Sequence, residues 1–155
     1  MDPVVRRAAT DDIRELDRLQ ELARGGIADV RGGALRLREC PPVHDWGALV
    51  ADPASVVLVG TLDEVIVAYM VMLLSTTKSR GIISHAYVEV EARELGLGDT
   101  MVEHAIDAVR SAGLAGIEAT ALPGDRETKN LFERAGLTAR KLTVYKSILP
   151  AAPEA

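Results

Sequence analysis

The chain has 155 residues, of which 48% are hydrophobic, 26% charged and 3% aromatic, and its formal net charge is −5. This length suits one domain with its own core and is too short for two ordinary domains. The negative charge argues against nonspecific nucleic-acid binding, which depends on cationic contacts to phosphates. No apolar stretch approaches the roughly 20 residues of a membrane helix, and the single cysteine, Cys40, favours a reducing compartment. We therefore expect a cytoplasmic protein with one domain over residues 1–149 and a frayed tail over 150–155, without membrane or nucleic-acid partners.

The first half of the chain predicts a strand, a helix and a pair of neighbouring strands. Residues 4–8 form the first strand, and Thr10 is placed as the N-cap of a helix that Gly25 and Gly26 end. Residues 24–47 are the least legible part and suggest a short helix with an irregular loop. Residues 56–60 and 65–74 are β-branched and apolar, which predicts antiparallel strands joined by a turn at 62–64.

The second half alternates between strands and helices. A polar turn over residues 75–80 precedes a strand over 81–90, and further strands are predicted over 116–122 and 142–148. Two helices separate them, the second over 125–135. The first of these helices carries an apolar stripe at helical spacing, formed by Leu97, Met101, Val102, Ala105, Ile106 and Val109.

The most informative segment lies between the strand over 81–90 and this first helix. It reads Arg93-x-x-Gly96-x-Gly98. Glycines at the opening of a helix let the backbone approach an anion closely, and the N–H groups of the first helical turn point at it. A P-loop would need a lysine after Gly98, and a dinucleotide fingerprint would need a third glycine. The segment predicts a different phosphate-binding loop, and the alternative is a plain turn without a ligand.

An Arg-x-x-Gly-x-Gly loop placed after several strands resembles the coenzyme A loop of the GNAT superfamily of N-acetyltransferases. Residues 87–93 resemble the family's fourth strand and its exit into that loop. Residues 130–137, Asn-Leu-Phe-Glu-Arg-Ala-Gly-Leu, resemble the helix that normally ends in Tyr-Glu-x-x-Gly-Phe. The resemblance spans residues 4–148 and implies an α/β fold of the α+β layered kind, in which helices flank a mixed, largely antiparallel central sheet.

The resemblance also implies acetyl-CoA as the cosubstrate and a set of residues that bind it. Backbone N–H groups near the end of the fourth strand would serve the thioester carbonyl and the pantetheine arm, and those from Glu94 to Asp99 would hold the pyrophosphate. The residues implied in cofactor binding are Tyr87, Val88, Val90, Arg93, Glu94, Leu95, Gly96, Leu97, Gly98, Asp99, Asp125 and Phe132.

Two positions depart from the family pattern. The tyrosine that acts as a general acid in the family is replaced by Phe132, which has no proton to give. Asp125 stands where the family usually has asparagine. General acid catalysis contributes roughly 10²–10⁴-fold, so its loss slows a reaction without abolishing it. Tyr145, near the end of the predicted last strand, is a candidate to supply the missing hydroxyl.

His85 and Glu89 are the candidate bases. With Tyr87 between them at a spacing of two, all three would project from one face of a strand. His85 has a suitable intrinsic pKa, although a hydrogen-bonded structural histidine and a solvent-facing Glu89 are the alternatives. No family signature surrounds Cys40, so we expect an ordinary thiol there.

We expect no metal site. The possible ligands around His44 are too close together in the sequence to form a metal site, and His104 lies on a helix face beside Glu103.

The leading hypothesis is an N-acetyltransferase that moves an acetyl group from acetyl-CoA to a primary amine by direct attack. The sequence does not distinguish between a protein lysine or N-terminus, a polyamine, an antibiotic amine and an amino acid as the acceptor. A homodimer is expected because proteins of this family are often dimers. The first alternative is an acyl-CoA-binding module that has lost catalysis and senses or regulates. A scaffold that pairs with another chain of the family is the second.

Overall fold

The protein folds as a five-stranded sheet covered by helices on both faces, and the computed structural model describes residues 2–150. The strands are β1 (Pro3–Arg7), β2 (Ser55–Leu62), β3 (Val65–Ser75), β4 (Arg80–Val88) and β5 (Gly116–Ala119). The helices are α1 (Ile13–Ile27), α2 (Gly33–Glu39), α3 (Trp46–Ala51), α4 (Leu97–Ser111) and α5 (Arg126–Arg134). Short 3-10 turns lie at Thr10–Asp12 and Val90–Ala92.

The sheet follows chain order, with β1 to β4 antiparallel to their neighbours and β5 parallel to β4. The predicted mixed, largely antiparallel sheet is therefore confirmed. Asp63 and Glu64 make the turn between β2 and β3 with φ of 48° and 70°. Two consecutive residues in the left-handed region give a tight hairpin whose twist matches that of the strands.

Alternation along β3 divides the interior into two clusters. Met70 and Met72 face the cluster under α4, whereas Tyr69 and Val71 face the cluster under α1 and α3. The predicted stripe of α4 is confirmed, since its residues are buried against the first cluster, with Ile106 partly so. Side chains that alternate along β3 pack against the side chains at helical spacing on α4. Each face of the sheet is therefore covered by its own layer of helices.

The N-terminal prediction needs two corrections. Thr10 does not cap an α-helix, because it opens a 3-10 turn, and the carboxylate of Asp12 takes the capping role by accepting the Ala9 N–H at 2.7 Å. Arg6 pairs with Asp12 at 2.7 Å and holds the pKa of that carboxyl below its usual range. Gly25 and Gly26 do not end α1, which continues to Ile27. Glycine lowers helix stability by only about 1 kcal/mol per residue and does not by itself stop a helix.

The region over residues 24–47 contains the end of α1, all of α2 and the start of α3, which is one helix more than predicted. Asp45 begins α3 by accepting the Ala48 N–H at 3.0 Å. Gln20 of α1 holds the loop before α3 through two bonds to Val43, at 3.0 Å and 2.7 Å. Arg24 of α1 donates to the Leu37 carbonyl of α2 at 3.2 Å, so α2 lies beside α1.

The predicted strand over residues 142–148 is wrong. No helix or strand follows α5 within the described residues, and Leu142, Val144 and Ile148 are 82%, 91% and 79% exposed. No hydrogen bond found within residues 2–150 joins this segment to β5, so β5 is an edge strand, and it is shorter than predicted. Alternating apolar residues form a strand only where a neighbouring edge pairs with them. The predicted tail lies outside the described residues except for Pro150.

Candidate functional site

A cavity of about 690 Å³ lies where β4, α1, α2, the loop before α4 and α5 meet. Incomplete pairing between two strands leaves one side of this cavity uncovered. β5 pairs with β4 only from Arg80 to Ile83, so the edge of β4 beyond Ile83 has no strand beside it within the described chain. His85, Tyr87 and Val88 all line the cavity along this stretch. An extended ligand could lie there as an additional strand would.

Gly96 and Gly98 build the opposite wall of the cavity at the start of α4. Gly96 has φ of +85°, a conformation that suits glycine, and a Cβ there would meet nothing within 4 Å. At Gly98 a Cβ would lie 3.1 Å from Leu131 Cδ1, so α5 packs closely on this turn. The first bond of the helix runs from the Thr100 N–H to the Gly96 carbonyl at 3.0 Å. The N–H groups before Thr100 have no acceptor within the helix and are available to an anion.

Carboxylates near this turn are held by cations or helix ends. Asp99 accepts from Arg134 Nε at 3.1 Å, and Glu127 is paired with Arg93. Asp125 caps α5 by accepting the Thr128 N–H at 3.2 Å and the Thr128 hydroxyl at 2.6 Å. Their charge therefore opposes an anion at the turn less than the sequence suggests.

Arg93 connects the turn to the strand. Its Nε donates to the Val88 carbonyl at 2.9 Å, and its guanidinium lies 5.7 Å from the centre of the Tyr87 ring. Arg93 and Tyr87 both line the cavity, as the resemblance implies for ligand-binding residues. Burial raises the pKa of Tyr87, so its hydroxyl stays protonated.

His85 is the candidate base that the structure places in the cavity. Ser84 Oγ lies 2.9 Å from His85 Nδ1 and 3.4 Å from the Val71 carbonyl, to which it donates. Ser84 therefore accepts from Nδ1–H, and Nε2 of His85 carries the free lone pair. Burial and then the charges of Arg36 and Arg24 lower the pKa of His85 to about 4. The imidazole is therefore neutral at pH 7, and its Nε2 can accept a hydrogen bond from an amine.

Glu89, the second candidate base, lies outside the cavity. Glu89 lies one residue beyond β4 and does not line the cavity. Its carboxylate is bound by Arg18 Nη1 at 2.6 Å, and the same guanidinium donates to Glu15 at 2.7 Å. A carboxylate that is held by Arg18 outside the cavity is not placed to meet a bound amine, so the geometry favours His85.

Three other predicted residues also lie outside the lining of the cavity. Val90 belongs to a 3-10 turn rather than to the strand and is 65% exposed, and Leu95 is 40% exposed. Tyr145 is 60% exposed within the segment that forms no strand. Phe132, in contrast, lines the cavity while 94% of its surface is buried, its exposure being 6%.

Sequence reasoning missed a group of side chains around His85. Arg24, Arg36 and Cys40 line the cavity, and Cys40 Sγ lies 3.9 Å from His85 Nε2. One signal pointed to part of this arrangement, since Arg24 follows the buried Gln20 by four residues and so lies on the same face of α1. Nothing in the pattern placed Arg36 or Cys40 on that side.

Within residues 2–150 we find no group of three His, Cys, Asp or Glu side chains arranged to hold a metal ion. No helix in the described part of the chain combines the length and the apolarity needed to cross a membrane.

The sequence model of the Acetyltransferase (GNAT) family matches residues 16–137, which is well over half of the chain. The sheet from β2 to β5, the helix-opening turn and the open edge of β4 lie within this matched region. The chain therefore belongs to the GNAT family of acetyltransferases. No curated protein sequence matches it significantly.

Solved structures share the fold at low sequence identity. A putative acetyltransferase from Agrobacterium tumefaciens str. C58 is 20% identical, with 93% of this chain and 99% of that chain covered and a TM-score of 0.70. A ribosomal-protein-alanine N-acetyltransferase from Brucella melitensis biovar Abortus 2308 is 14% identical, with 96% and 100% covered and a TM-score of 0.67. The structure of AAC(6')-Iy in complex with the bisubstrate analogue CoA-S-monomethyl-acetylneamine is 10% identical, with 96% and 100% covered and a TM-score of 0.65.

Proposed function

We propose that this protein transfers an acetyl group from acetyl-CoA to a primary amine by direct attack of the amine. The observation that carries the proposal is the turn at Gly96 and Gly98, which opens α4 into the same cavity that holds His85. Membership of the family supports the acetyltransferase class. The neighbour solved with a CoA-containing bisubstrate analogue supports the choice of acetyl-CoA.

In this proposal backbone groups do most of the cosubstrate binding. The free N–H groups of the first turn of α4 bind the pyrophosphate, and the dipole of the helix adds to their effect. The unpaired edge of β4 beyond Ile83 binds the pantetheine arm by main-chain hydrogen bonds. Arg93 holds the two together through its bond to the Val88 carbonyl.

Catalysis then requires a neutral amine and a proton for the departing thiolate. His85 is neutral at pH 7 and presents Nε2, so it can accept the proton of the amine directly or through a water. Phe132 supplies no proton, and solvent takes that role at a lower rate. Direct attack predicts intersecting lines when initial rates are measured against both substrates, whereas an acyl-enzyme route gives parallel lines.

The alternative function is an acyl-CoA-binding module that regulates without turnover. The observation that favours it is Phe132, whose apolar ring lines the cavity where the family carries a hydroxyl. The two functions share the binding step and differ only in turnover. The proposal also includes a reducing cytoplasm as the location of the protein and a homodimer as its assembly, both as predicted from the sequence.

The deciding experiment is a thermal-shift titration with acetyl-CoA, run beside free CoA and ATP. A ligand that binds only the folded state stabilises it by RT ln(1 + [L]/Kd), which is about 2.7 kcal/mol at 100 times Kd. We expect shifts with both CoA species and none with ATP, since β4 offers the pantetheine arm an edge that ATP does not use. Absence of a shift at millimolar acetyl-CoA contradicts both functions.

Turnover separates the enzyme from the regulator. Thiol release is followed with a panel of amines that covers amino acids, polyamines, aminoglycosides and peptides. Release that depends on the amine supports the enzyme, whereas binding without any release supports the regulatory module.

A further inference from the structure

Two guanidinium groups converge on the cavity beside His85. Arg24 of α1 donates to the carbonyls of Cys40 and Leu37, at 2.8 Å and 3.2 Å. Arg36 of α2 donates to the Ser84 carbonyl at 2.8 Å. Both arginines line the cavity, and the acceptors of all three bonds are backbone oxygens.

No carboxylate balances these two charges within residues 2–150. The ion pairs found in this part of the chain include neither Arg24 nor Arg36, whereas Arg18 and Arg93 each have a glutamate partner. The acidic residues of the cavity lining come only from the loop before α4, the first turn of α4 and the start of α5, on the side of the helix-opening turn. Those residues are Glu94, Asp99, Asp125 and Glu127.

The bonds that hold the arginines do not exhaust them. A guanidinium has five N–H donors in a planar fork that matches a carboxylate. Arg24 uses two of its nitrogens on backbone carbonyls, and Arg36 uses one. Backbone carbonyls orient the two forks but carry no formal negative charge, and the two that hold Arg24 belong to the C-terminal end of α2, whose dipole offsets only part of the charge. The remaining, partly buried positive charge favours a counter-ion.

We infer that the acetyl acceptor is a carboxylate-bearing amine, of the amino-acid type, whose carboxylate binds between Arg24 and Arg36. This inference rests on the proposed function, because it names the substrate class of the same cavity. The amine of such an acceptor lies within a few bonds of its carboxylate, so binding the acid beside His85 brings the amine to the candidate base. A polyamine or aminoglycoside has no anionic group to offer and meets two like charges, which disfavours it.

The test compares acceptors that differ only in the carboxylate. The probes are L-methionine, L-phenylalanine and L-glutamate, each beside its α-carboxamide, with acetyl-CoA saturating. We expect kcat/KM to be at least about tenfold higher for the carboxylate member of the best-accepted pair, as a charge-assisted bidentate contact allows. Equal or reversed preference in all pairs overturns the inference.

Substitutions of Arg36 test whether this residue causes the preference for the carboxylate. Arg36→Gln should reduce the preference to below about threefold while KM for acetyl-CoA stays unchanged, and Arg36→Lys should retain part of it. Arg38→Gln is the matched control, because Arg38 lies on the same helix and does not line the cavity. A preference that survives Arg36→Gln contradicts the inference even if the wild type discriminates.

A binding measurement keeps this test separate from that of the proposed function. The N-acetyl derivatives of the same three amino acids and of their amides are titrated in a thermal-shift assay without acetyl-CoA. Stabilisation by the acids and not by the amides supports the anion site even if no acetyl transfer is found. Absence of stabilisation by any acid, in a protein that binds acetyl-CoA, overturns the inference and leaves the proposed function standing.

Discussion

The two ends of the cavity are built in different ways. At one end the backbone of a continuous segment, from Arg93 through the first turn of α4, makes the binding surface, and the neighbouring Asp99 and Glu127 are paired with arginines. At the other end Arg24, Arg36 and His85 come from three separate elements and act through their side chains. A backbone site depends on local conformation, whereas a side-chain site depends on how distant elements pack. The first is legible in a sequence pattern, and the second requires the fold.

The largest effect is expected at Phe132, which takes part in both the core and the cavity. If the missing general acid limits the rate, Phe132→Tyr raises kcat by up to about 10²-fold, within the range that general acids contribute. Phe132→Leu is the control, since it changes the packing without adding a hydroxyl. The measurement is kcat with the best amine of the panel. An unchanged kcat in a folded Phe132→Tyr variant contradicts the view that this position supplies the acid.

A pair of glycines tests the backbone end. Gly96 and Gly113 have φ of +85° and +70°, and in both cases an added Cβ meets nothing within 4 Å. Alanine at either position should therefore cost about 1–2 kcal/mol in stability for the left-handed conformation. Only Gly96 lines the cavity, so Gly96→Ala alone should weaken acetyl-CoA binding, by about tenfold.

The readouts for this pair are the free energy of unfolding in urea and the Kd of acetyl-CoA by titration calorimetry. Equal losses of affinity in both variants would show that global strain, rather than the turn itself, controls binding. A Gly96→Ala variant with unchanged affinity would remove the turn from the cosubstrate site.

The same contrast explains how much the sequence could predict. The stripe from Leu97 to Val109, the hairpin turn at Asp63 and Glu64 and the loop at Gly96 are local patterns, and the structure confirms them as elements. The apolar alternation at Leu142 and Val144 is equally local, yet it failed, because a strand also needs a partner edge.

The sequence failed to predict part of the site for a related reason. Arg36 reaches the Ser84 carbonyl next to His85 because α2 packs against α1. α2 lies within residues 24–47, where the hydrophobic pattern predicted only a short helix with an irregular loop. Glu89 lies outside the cavity, where Arg18 of α1 holds its carboxylate. Tertiary packing decided both outcomes, and neither propensity nor spacing carries that information.

The side-chain end is tested by the pH dependence of stability. The pKa of His85 is about 4 in the folded protein, whereas the ordinary value is 6.5. Because the unfolded chain binds the proton more readily, the contribution of this shift to the free energy of unfolding is complete above pH 6.5. That contribution is lost as the pH falls toward 4. The partial exposure of the ring reduces the effect, so we expect a loss of about 1 kcal/mol between pH 7 and pH 5 that His85→Gln removes.

The measurement is the free energy of unfolding in urea at the two pH values, for wild type, His85→Gln and Arg36→Gln. Arg24, Arg36, Cys40 and Tyr69 face the imidazole. Arg36→Gln should flatten the dependence in part, since the guanidinium is one of the charges that lower the pKa of His85. Identical slopes in all three proteins would mean that neither guanidinium acts on His85, and the cationic character of this end of the cavity would then be unsupported.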